Sequence, residues 1–203
     1  MLKTTIAAAV ALLGVVSTAN AMSFARVATG ELCESSMPSV AANRGPCVVI
    51  HMTGQIMSGD MAKLGAWLDT LPASDRVIAF SLDSPGGVLG EALQMADMIA
   101  RIPAKTELFD NTTCASACFW LFAAGRYREM SSRARLGVHS VSDALGAEMP
   151  GGTITVARMA HQFGVPDQII GKMVATPPDQ ITWLTIADLK AMPVEVIGPR
   201  ASR

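Results

Sequence analysis

Ser116 lies between two cysteines, in the stretch Cys114–Cys118 that reads CASAC, directly ahead of a strongly apolar run. A serine hydroxyl is an effective nucleophile only when a base takes its proton and hydrogen-bond donors stabilise the resulting oxyanion. The first N–H groups of a helix are unpaired, so a serine at a helix start has such donors nearby, here Ala117. Taken alone, the stretch favours a serine that caps a buried helix, since serine is frequent at that position.

The turn Asp83–Gly87, which reads DSPGG, is the second candidate element. Its proline fixes the entry to the turn, and its glycines permit close approach of a ligand to the backbone. We therefore expect the Gly87 N–H to be a second oxyanion donor, with Gly86 beside it. An ordinary β–α turn is the alternative. A phosphate-binding loop is disfavoured, because no Lys-Ser/Thr pair follows the glycines.

A base for Ser116 must come from one of three histidines. His51 falls inside a predicted strand, where we expect it to pack, and His161 falls on a late helix, where we expect it to face solvent. His139 ends a strand that follows the Ser116 helix and returns to the same edge. His139 is therefore the candidate base.

The cysteines allow more than one interpretation. Cys114 and Cys118 could bind a metal together with His139, but no fourth ligand is evident, so we expect no metal. A disulfide between them, across one helical turn, is geometrically demanding, and buried thiols are an alternative. Together with Cys33 and Cys47 they allow three complete disulfide pairings, among which the sequence does not choose.

Alternating strands and helices dominate the middle of the chain. Four strands are predicted, over Cys47–Gly54, Arg76–Leu82, Ala104–Asp110 and Arg135–Ser140. Helices are predicted after Ser58, over Val88–Ile102, through the Ser116 stretch, over Thr153–Phe163 and Pro166–Ala175, and after a capping box that starts at Thr185. This alternation predicts βαβ crossovers and a mostly parallel α/β sheet. Ligands bind outside the carboxyl ends of such strands, where the DSPGG turn, the CASAC turn and His139 all fall.

Residues 1–21 have the layout of a secretory signal peptide: one lysine, an apolar run and a final Ala-Asn-Ala, which predicts cleavage after Ala21. An uncleaved anchor is the alternative. We expect an irregular N-terminal arm over residues 22–46 and a single domain over residues 47–203, located in the periplasm or secreted, where disulfides are permitted. With 16 basic and 17 acidic residues and no basic patch, nucleic acid is not an expected partner, and no later run is long enough to span a membrane.

The motifs resemble one known family when they are taken in order. TGQ (Thr53–Gln55), SPGG (Ser84–Gly87), the CASAC turn before a helix ending in AAG, and the strand ending at His139 follow one another as in the Clp protease proteolytic subunit. From about Val48 to Val196 the chain thus resembles a secreted member of that serine-peptidase family, within the crotonase-like fold. The resemblance implies Ser116 as nucleophile, His139 as general base, and the Gly87 and Ala117 N–H groups as oxyanion donors.

The resemblance also implies a triad acid ahead of an aromatic residue and a Ser/Thr. Asp179, before Trp183 and Thr185, fits this position; Asp188 is the rival, but its place three residues after Thr185 explains it as a helix-capping partner. The family further implies a peptide or protein substrate, no cofactor and a homo-oligomer.

Two departures from the family change these expectations. The segment between His139 and Asp179 is shorter than in Clp subunits, which argues against their double-ring chamber. An exported enzyme has no ATP supply, so we expect a peptidase independent of ATP-driven unfoldases. Two other functions stay open: a non-catalytic binding or assembly module of the same fold, and an acyl-CoA enzyme of the wider superfamily, which export disfavours.

Overall fold

A computed structural model describes residues 20–32, 45–143 and 145–199, with the side chains of all but residues 31 and 32. The strands are, in chain order, β1 (Ser23–Leu32), β2 (Pro46–Thr53), β3 (Arg76–Asp83), β4 (Lys105–Leu108), β5 (Thr113–Ala115), β6 (Arg128–Ser131), β7 (Arg135–Val138), β8 (Thr182–Trp183) and β9 (Val194–Ile197). The helices are α1 (Asp60–Leu68), α2 (Leu89–Ala100), α3 (Cys118–Ala123), α4 (Pro150–Ala160), α5 (Asp167–Ala175) and α6 (Ile186–Ala191), and a turn of 3-10 helix covers His161–Phe163.

Two sheets organise these elements. The larger has six strands in the order β1-β2-β3-β4-β6-β9, of which only the β1–β2 pair is antiparallel. The smaller has the order β5-β7-β8, with β5 and β7 parallel and β8 antiparallel to β7. The prediction of an α/β fold with a mostly parallel sheet is confirmed, while the strand that ends beside His139 lies in the smaller sheet.

The core explains why the central elements form. Side chains that are fully buried come from β2, β3, α2 and α3, including Ile50, Phe80, Met95, Phe119 and Phe122. Each such side chain contributes roughly 1.5–3 kcal/mol when it leaves water. The apolar run after Ser116 is thus a short, completely buried helix at the centre of the core.

The expectation of an irregular arm over residues 22–46 is wrong for its first part. Ser23–Leu32 forms the ten-residue strand β1, which pairs with β2 from Ser23–Thr53 to Ala28–Val48. Most of its described side chains are exposed or half-buried, so the apolar pattern that signals a strand is weak, and backbone pairing with the edge of β2 decides its conformation. Residues 33–44 lie outside the described residues.

The first described residues, Asn20 and Ala21, pair with Gln55, which closely follows β2. The Gln55 N–H donates to the Asn20 carbonyl at 2.8 Å, and Ala21 forms an isolated parallel bridge with Gln55. Residues 1–19 of the predicted signal peptide lie outside the described residues, and cleavage after Ala21 stays a prediction. Across the described ranges, no helix combines the length and apolar character that crossing a membrane requires.

Ser58, which precedes α1, does not cap it. The N-cap residue is Gly59, and no side chain of the cap residue bonds to the helix. The carboxylate of Glu91 on α2 instead accepts the N–H groups of Gly59 and Met61 at 3.0 and 2.8 Å. These two hydrogen bonds lower the pKa of Glu91 and fasten α1 to α2.

Candidate active site

Ser116 occupies the junction between β5, which ends at Ala115, and α3, which begins at Cys118. Its φ of +57° places a non-glycine residue in the left-handed region. That conformation costs an L-residue roughly 1–2 kcal/mol and persists only when the surroundings impose it. Strained residues of this kind cluster at active sites, and a serine on a sharp strand-to-helix turn is exposed for attack. The expected helix therefore starts only after this turn.

Hydrogen bonds tie the Ser116 turn to both neighbouring strand ends. The Ser116 N–H donates to the Gly137 carbonyl of β7 at 3.1 Å. On the other side, the Ala115 N–H donates to the Ser84 carbonyl at 3.1 Å, and the Ser84 N–H donates to the Thr113 carbonyl at 2.7 Å. The DSPGG turn, the CASAC turn and the end of β7 therefore meet, as the sequence predicts.

The two glycines of the DSPGG turn are required by close backbone contact. Gly86 has φ +100°, and a Cβ there would lie 2.7 Å from the Ser116 Cβ and 2.9 Å from the Ala117 nitrogen. Gly87 has φ +141°, and a Cβ there would lie 2.0 Å from the Ile56 carbonyl oxygen. The turn therefore packs directly against the serine junction, which no larger residue would allow.

The N–H groups of Gly87 and Ala117 are the expected oxyanion donors. Both residues line the cavity that also contains Ser116 and His139. Within the described ranges, neither N–H donates to a protein acceptor. Two unpaired backbone donors beside a serine are what stabilisation of an oxyanion requires.

His139 follows β7 and is half-buried. Its Nδ1 lies 2.6 Å from the Ser140 carbonyl oxygen. Because a carbonyl only accepts, Nδ1 carries the proton, and in the neutral imidazole Nε2 then has the free lone pair. A general base needs a ring nitrogen in that state. Among the described residues His139 makes no hydrogen bond to Ser116, although such contacts often tighten only when substrate binds.

One cavity of about 490 Å³ joins these groups. Ser116, His139, Gly87 and Ala117 form one part of its lining, and Ser140 adds a buried hydroxyl for which the described residues provide no hydrogen-bond partner. Three further polar residues, Gln55, Ser142 and Asp143, also line the cavity. The remaining walls are apolar, formed by Ile56, Met57, Val88, Leu89, Trp120, Val138, Val141, Val156 and Met173. The cavity can therefore hold an apolar group next to the serine.

Asp179 is not brought to His139. It is exposed, does not line the cavity, and no hydrogen bond or ion pair of its carboxylate is found within the described residues. The backbone of its loop is nevertheless close, because the Ser140 N–H donates to the Thr176 carbonyl at 2.8 Å. The Thr176 and Thr182 hydroxyls, 2.7 Å apart, close the base of this loop. The backbone of the loop thus contacts the residue after His139, while the Asp179 carboxylate has no partner among the described residues.

Asp188, the rival acid, is buried and already engaged. Its carboxylate accepts the N–H and hydroxyl of Thr185 at 2.8 and 2.7 Å and pairs with the Lys172 Nζ at 2.5 Å. Burial raises the pKa of Asp188, but the hydrogen bonds from Lys172 and Thr185 outweigh it, so the pKa lies below its usual value. The predicted capping box is confirmed.

The other two histidines behave as expected. His51 is half-buried and stacks on Phe109 with ring centroids 5.9 Å apart, and burial lowers its pKa against the opposing effect of Glu107. His161 is mostly exposed, 3.7 Å from Asp167. The Ser140 carbonyl was not predicted as a partner of His139, since no pattern of side chains signals a backbone acceptor.

The cysteines beside the serine are bonded to each other as Cys114–Cys118. Cys47 is also disulfide-bonded, whereas Cys33 lies outside the described residues. In the part of the chain that the structure describes, no group of three His, Cys, Asp or Glu side chains could hold a metal ion.

Ser116 and His139 thus both follow strand ends and line one cavity. The family model "Clp protease" matches residues 46–182, and the chain belongs to this family. No curated protein matches the sequence.

Solved structures with a similar fold include proteases. A mutant of the 1510-N membrane-bound stomatin-specific protease is 17% identical, with a TM-score of 0.55 over 72% of this chain and 76% of that one. A second mutant of the same protease, in complex with a substrate peptide, is 16% identical, with a TM-score of 0.56 over 72% of both chains. A ClpP1 mutant from Listeria monocytogenes is 17% identical, with a TM-score of 0.49 over 76% of this chain and 92% of that one. At these identities the first two likenesses show a shared fold.

Proposed function

We propose that this protein is a serine peptidase that cleaves peptide bonds through Ser116 and His139, with neither a cofactor nor ATP. The observation that carries the proposal is the left-handed Ser116 at a strand-to-helix junction, in one cavity with His139 and two unpaired backbone donors. Membership of the Clp protease family supports the reaction class. A substrate peptide bound to one structural neighbour supports the substrate class.

The reaction follows from the positions of these groups. The Ser116 Oγ attacks the carbonyl carbon, and its proton moves to the His139 Nε2. The Gly87 and Ala117 N–H groups bind the oxyanion of the tetrahedral intermediate. His139 then gives the proton to the leaving amine, and water releases the acyl group from Ser116 by the same steps in reverse.

The Ser140 carbonyl takes the orienting role that the family resemblance implies for Asp179. It accepts the Nδ1 proton and so keeps Nε2 unprotonated. A neutral carbonyl stabilises the imidazolium less than a carboxylate does, so a slow peptidase is expected. Asp179 would join the site only if its loop moved when substrate binds.

The cavity and the cysteines support proposals about the substrate and the compartment. Apolar walls favour peptides with a large apolar residue beside the scissile bond, and the Ser140 hydroxyl gains a partner when a peptide binds. Disulfides at Cys114–Cys118 and at Cys47 favour an oxidising compartment, consistent with export and removal of residues 1–21. Self-association into a homo-oligomer is proposed on the family resemblance.

Covalent labelling by a fluorophosphonate tests the proposal. The wild type should be labelled on Ser116, as located by peptide mass spectrometry, and Ser116→Ala should abolish the label. His139→Ala should slow labelling by about a hundredfold or more, as loss of a general base does. The exposed Ser132 and His161 offer matched controls, so Ser132→Ala and His161→Ala should label like the wild type.

A non-catalytic binding or assembly module is the second candidate function. The observation that favours it is that no hydrogen bond joins Ser116 and His139 in the described chain. A folded wild type that acquires no Ser116-dependent label with any of several fluorophosphonates would establish this alternative over the peptidase.

A further inference from the structure

The disulfide Cys114–Cys118 encloses Ala115, Ser116 and Ala117, which form the whole serine junction. One cysteine lies on β5 and the other is the first residue of α3. Both are fully buried. The bond therefore links the strand that enters the junction to the helix that leaves it.

Hydrogen bonds to distant segments restrain the junction on its strand side, whereas packing restrains its helical side, where α3 is buried and Gly86 contacts Ala117. The N-cap residue of α3 is Ala117, which has no side chain able to cap the helix. The Phe119 and Trp120 N–H groups donate to the Ser116 and Ala117 carbonyls at 3.0 and 3.3 Å, but these bonds are local to the helix start. The bonds that reach other segments, to Ser84 and Gly137, lie on the strand side. Without a further restraint, the chain at Ser116 could relax from φ +57° to an ordinary conformation.

We propose that the Cys114–Cys118 disulfide is a positioning element for catalysis, which holds Ser116 in its left-handed conformation. By fixing the start of α3 relative to β5, the bond also keeps the Ala117 N–H directed toward the cavity. Loss of the bond should then slow attack by Ser116 while leaving the apolar substrate walls in place. This inference rests on the proposed peptidase function.

A purely structural role makes a different prediction. If the two sulfurs only pack in the core, removing them lowers stability and leaves the rate per folded molecule unchanged. Cys47, which is also buried and disulfide-bonded but lies on β2 and not beside Ser116, provides the matched control.

The test compares Cys114→Ala/Cys118→Ala with Cys47→Ala, using thermal unfolding, fluorophosphonate labelling and hydrolysis of a fluorogenic peptide with an apolar residue before the scissile bond. We expect the double variant to lose about ten- to a hundredfold in kcat, the scale of a misplaced reacting group, with KM within about twofold. Labelling of Ser116 should slow in proportion. Cys47→Ala should lower Tm but retain kcat per folded molecule.

Hydrogen exchange gives a readout that does not depend on activity. The Ser116 amide is bonded to Gly137, so its exchange should accelerate in the double variant and stay protected in Cys47→Ala. This separates the two proposals: a wild type without activity overturns the peptidase, whereas unchanged Ser116 exchange and labelling in a folded double variant overturns the positioning role. If the alanine pair does not fold, Cys114→Val/Cys118→Ala restores much of the buried volume and takes its place under the same criteria.

Discussion

The serine junction and the Asp179 loop lie on either side of His139 and differ in almost every physical respect. At the junction, two glycines, backbone bonds to two strands and a disulfide impose one conformation on Ser116. In the loop, the Thr176 hydroxyl bonds to the Lys172 carbonyl and the Thr182 hydroxyl, while the Asp179 carboxylate is exposed. The difference indicates that the fold restrains the Ser116 backbone closely, whereas the His139 ring bonds to a backbone carbonyl and to no acid among the described residues.

Gly86→Ala should give the largest effect, because it disrupts the closely restrained serine junction. Its Cβ would lie 2.6 Å from the Ala115 carbonyl oxygen and 2.7 Å from the Ser116 Cβ, at a φ of +100°. We expect a loss of at least about a hundredfold in Ser116 labelling, since such a displacement misaligns both nucleophile and donor. Gly59→Ala is the control: it has a similar φ of +91° but nothing within 4 Å, so it should cost stability alone. Equal labelling rates in both variants would contradict the close packing of the turn.

Asp188→Asn should give an intermediate effect, on stability and not on catalysis. Loss of the paired carboxylate should lower the free energy of unfolding by about 1–3 kcal/mol at pH 7, measured by urea denaturation. Because folding lowers the pKa of Asp188, its contribution is present above the unfolded pKa and disappears as pH falls through the folded value.

The difference in free energy of unfolding between the wild type and Asp188→Asn should therefore become smaller in acid, below about pH 4. Labelling per folded molecule should stay that of the wild type. A variant as stable as the wild type at pH 7 but catalytically impaired would instead assign Asp188 to the site.

Asp179→Asn should give the smallest effect, because the Asp179 loop contains no proposed catalytic group. We expect kcat and its pH dependence to change by less than about twofold, whereas loss of a triad acid lowers kcat by about 10⁴-fold. Peptide hydrolysis between pH 5 and 9 measures both. A large drop would restore the triad that the family resemblance implies, with a loop that moves when substrate binds.

Patterns among residues close in sequence predicted most of the strands and helices that form the core. The apolar runs of β2 and β3, the helical spacing in α2 and the Thr185 capping box each depend on near neighbours in sequence. The strands β5, β6, β8 and β9 have two to four residues each and were not predicted. Such short strands exist because a partner strand is adjacent, and a partner distant in the chain leaves no local signal.

The candidate site was likewise predicted from the sequence only in part. The residue types and the order of DSPGG, CASAC and His139 were enough to indicate a serine, a base and two donors, because parallel strands bring their carboxyl ends to one edge. The sequence did not choose among pairings for four cysteines, and it could not show that the Asp179 carboxylate would stay in solvent. Both depend on the direction of side chains after the chain has folded.

By itself, then, the sequence indicated the fold class and the family and singled out Ser116 and His139 as candidate nucleophile and base, since periodicity and motif order can be read along the chain. Only the tertiary structure decided that Ser116 has a left-handed backbone, that Cys114 and Cys118 bond across it, and that the Ser140 carbonyl holds His139. The physical reason is that strain, disulfide pairing and a tautomer are set by contacts at a few ångströms, many of them between segments far apart in the chain.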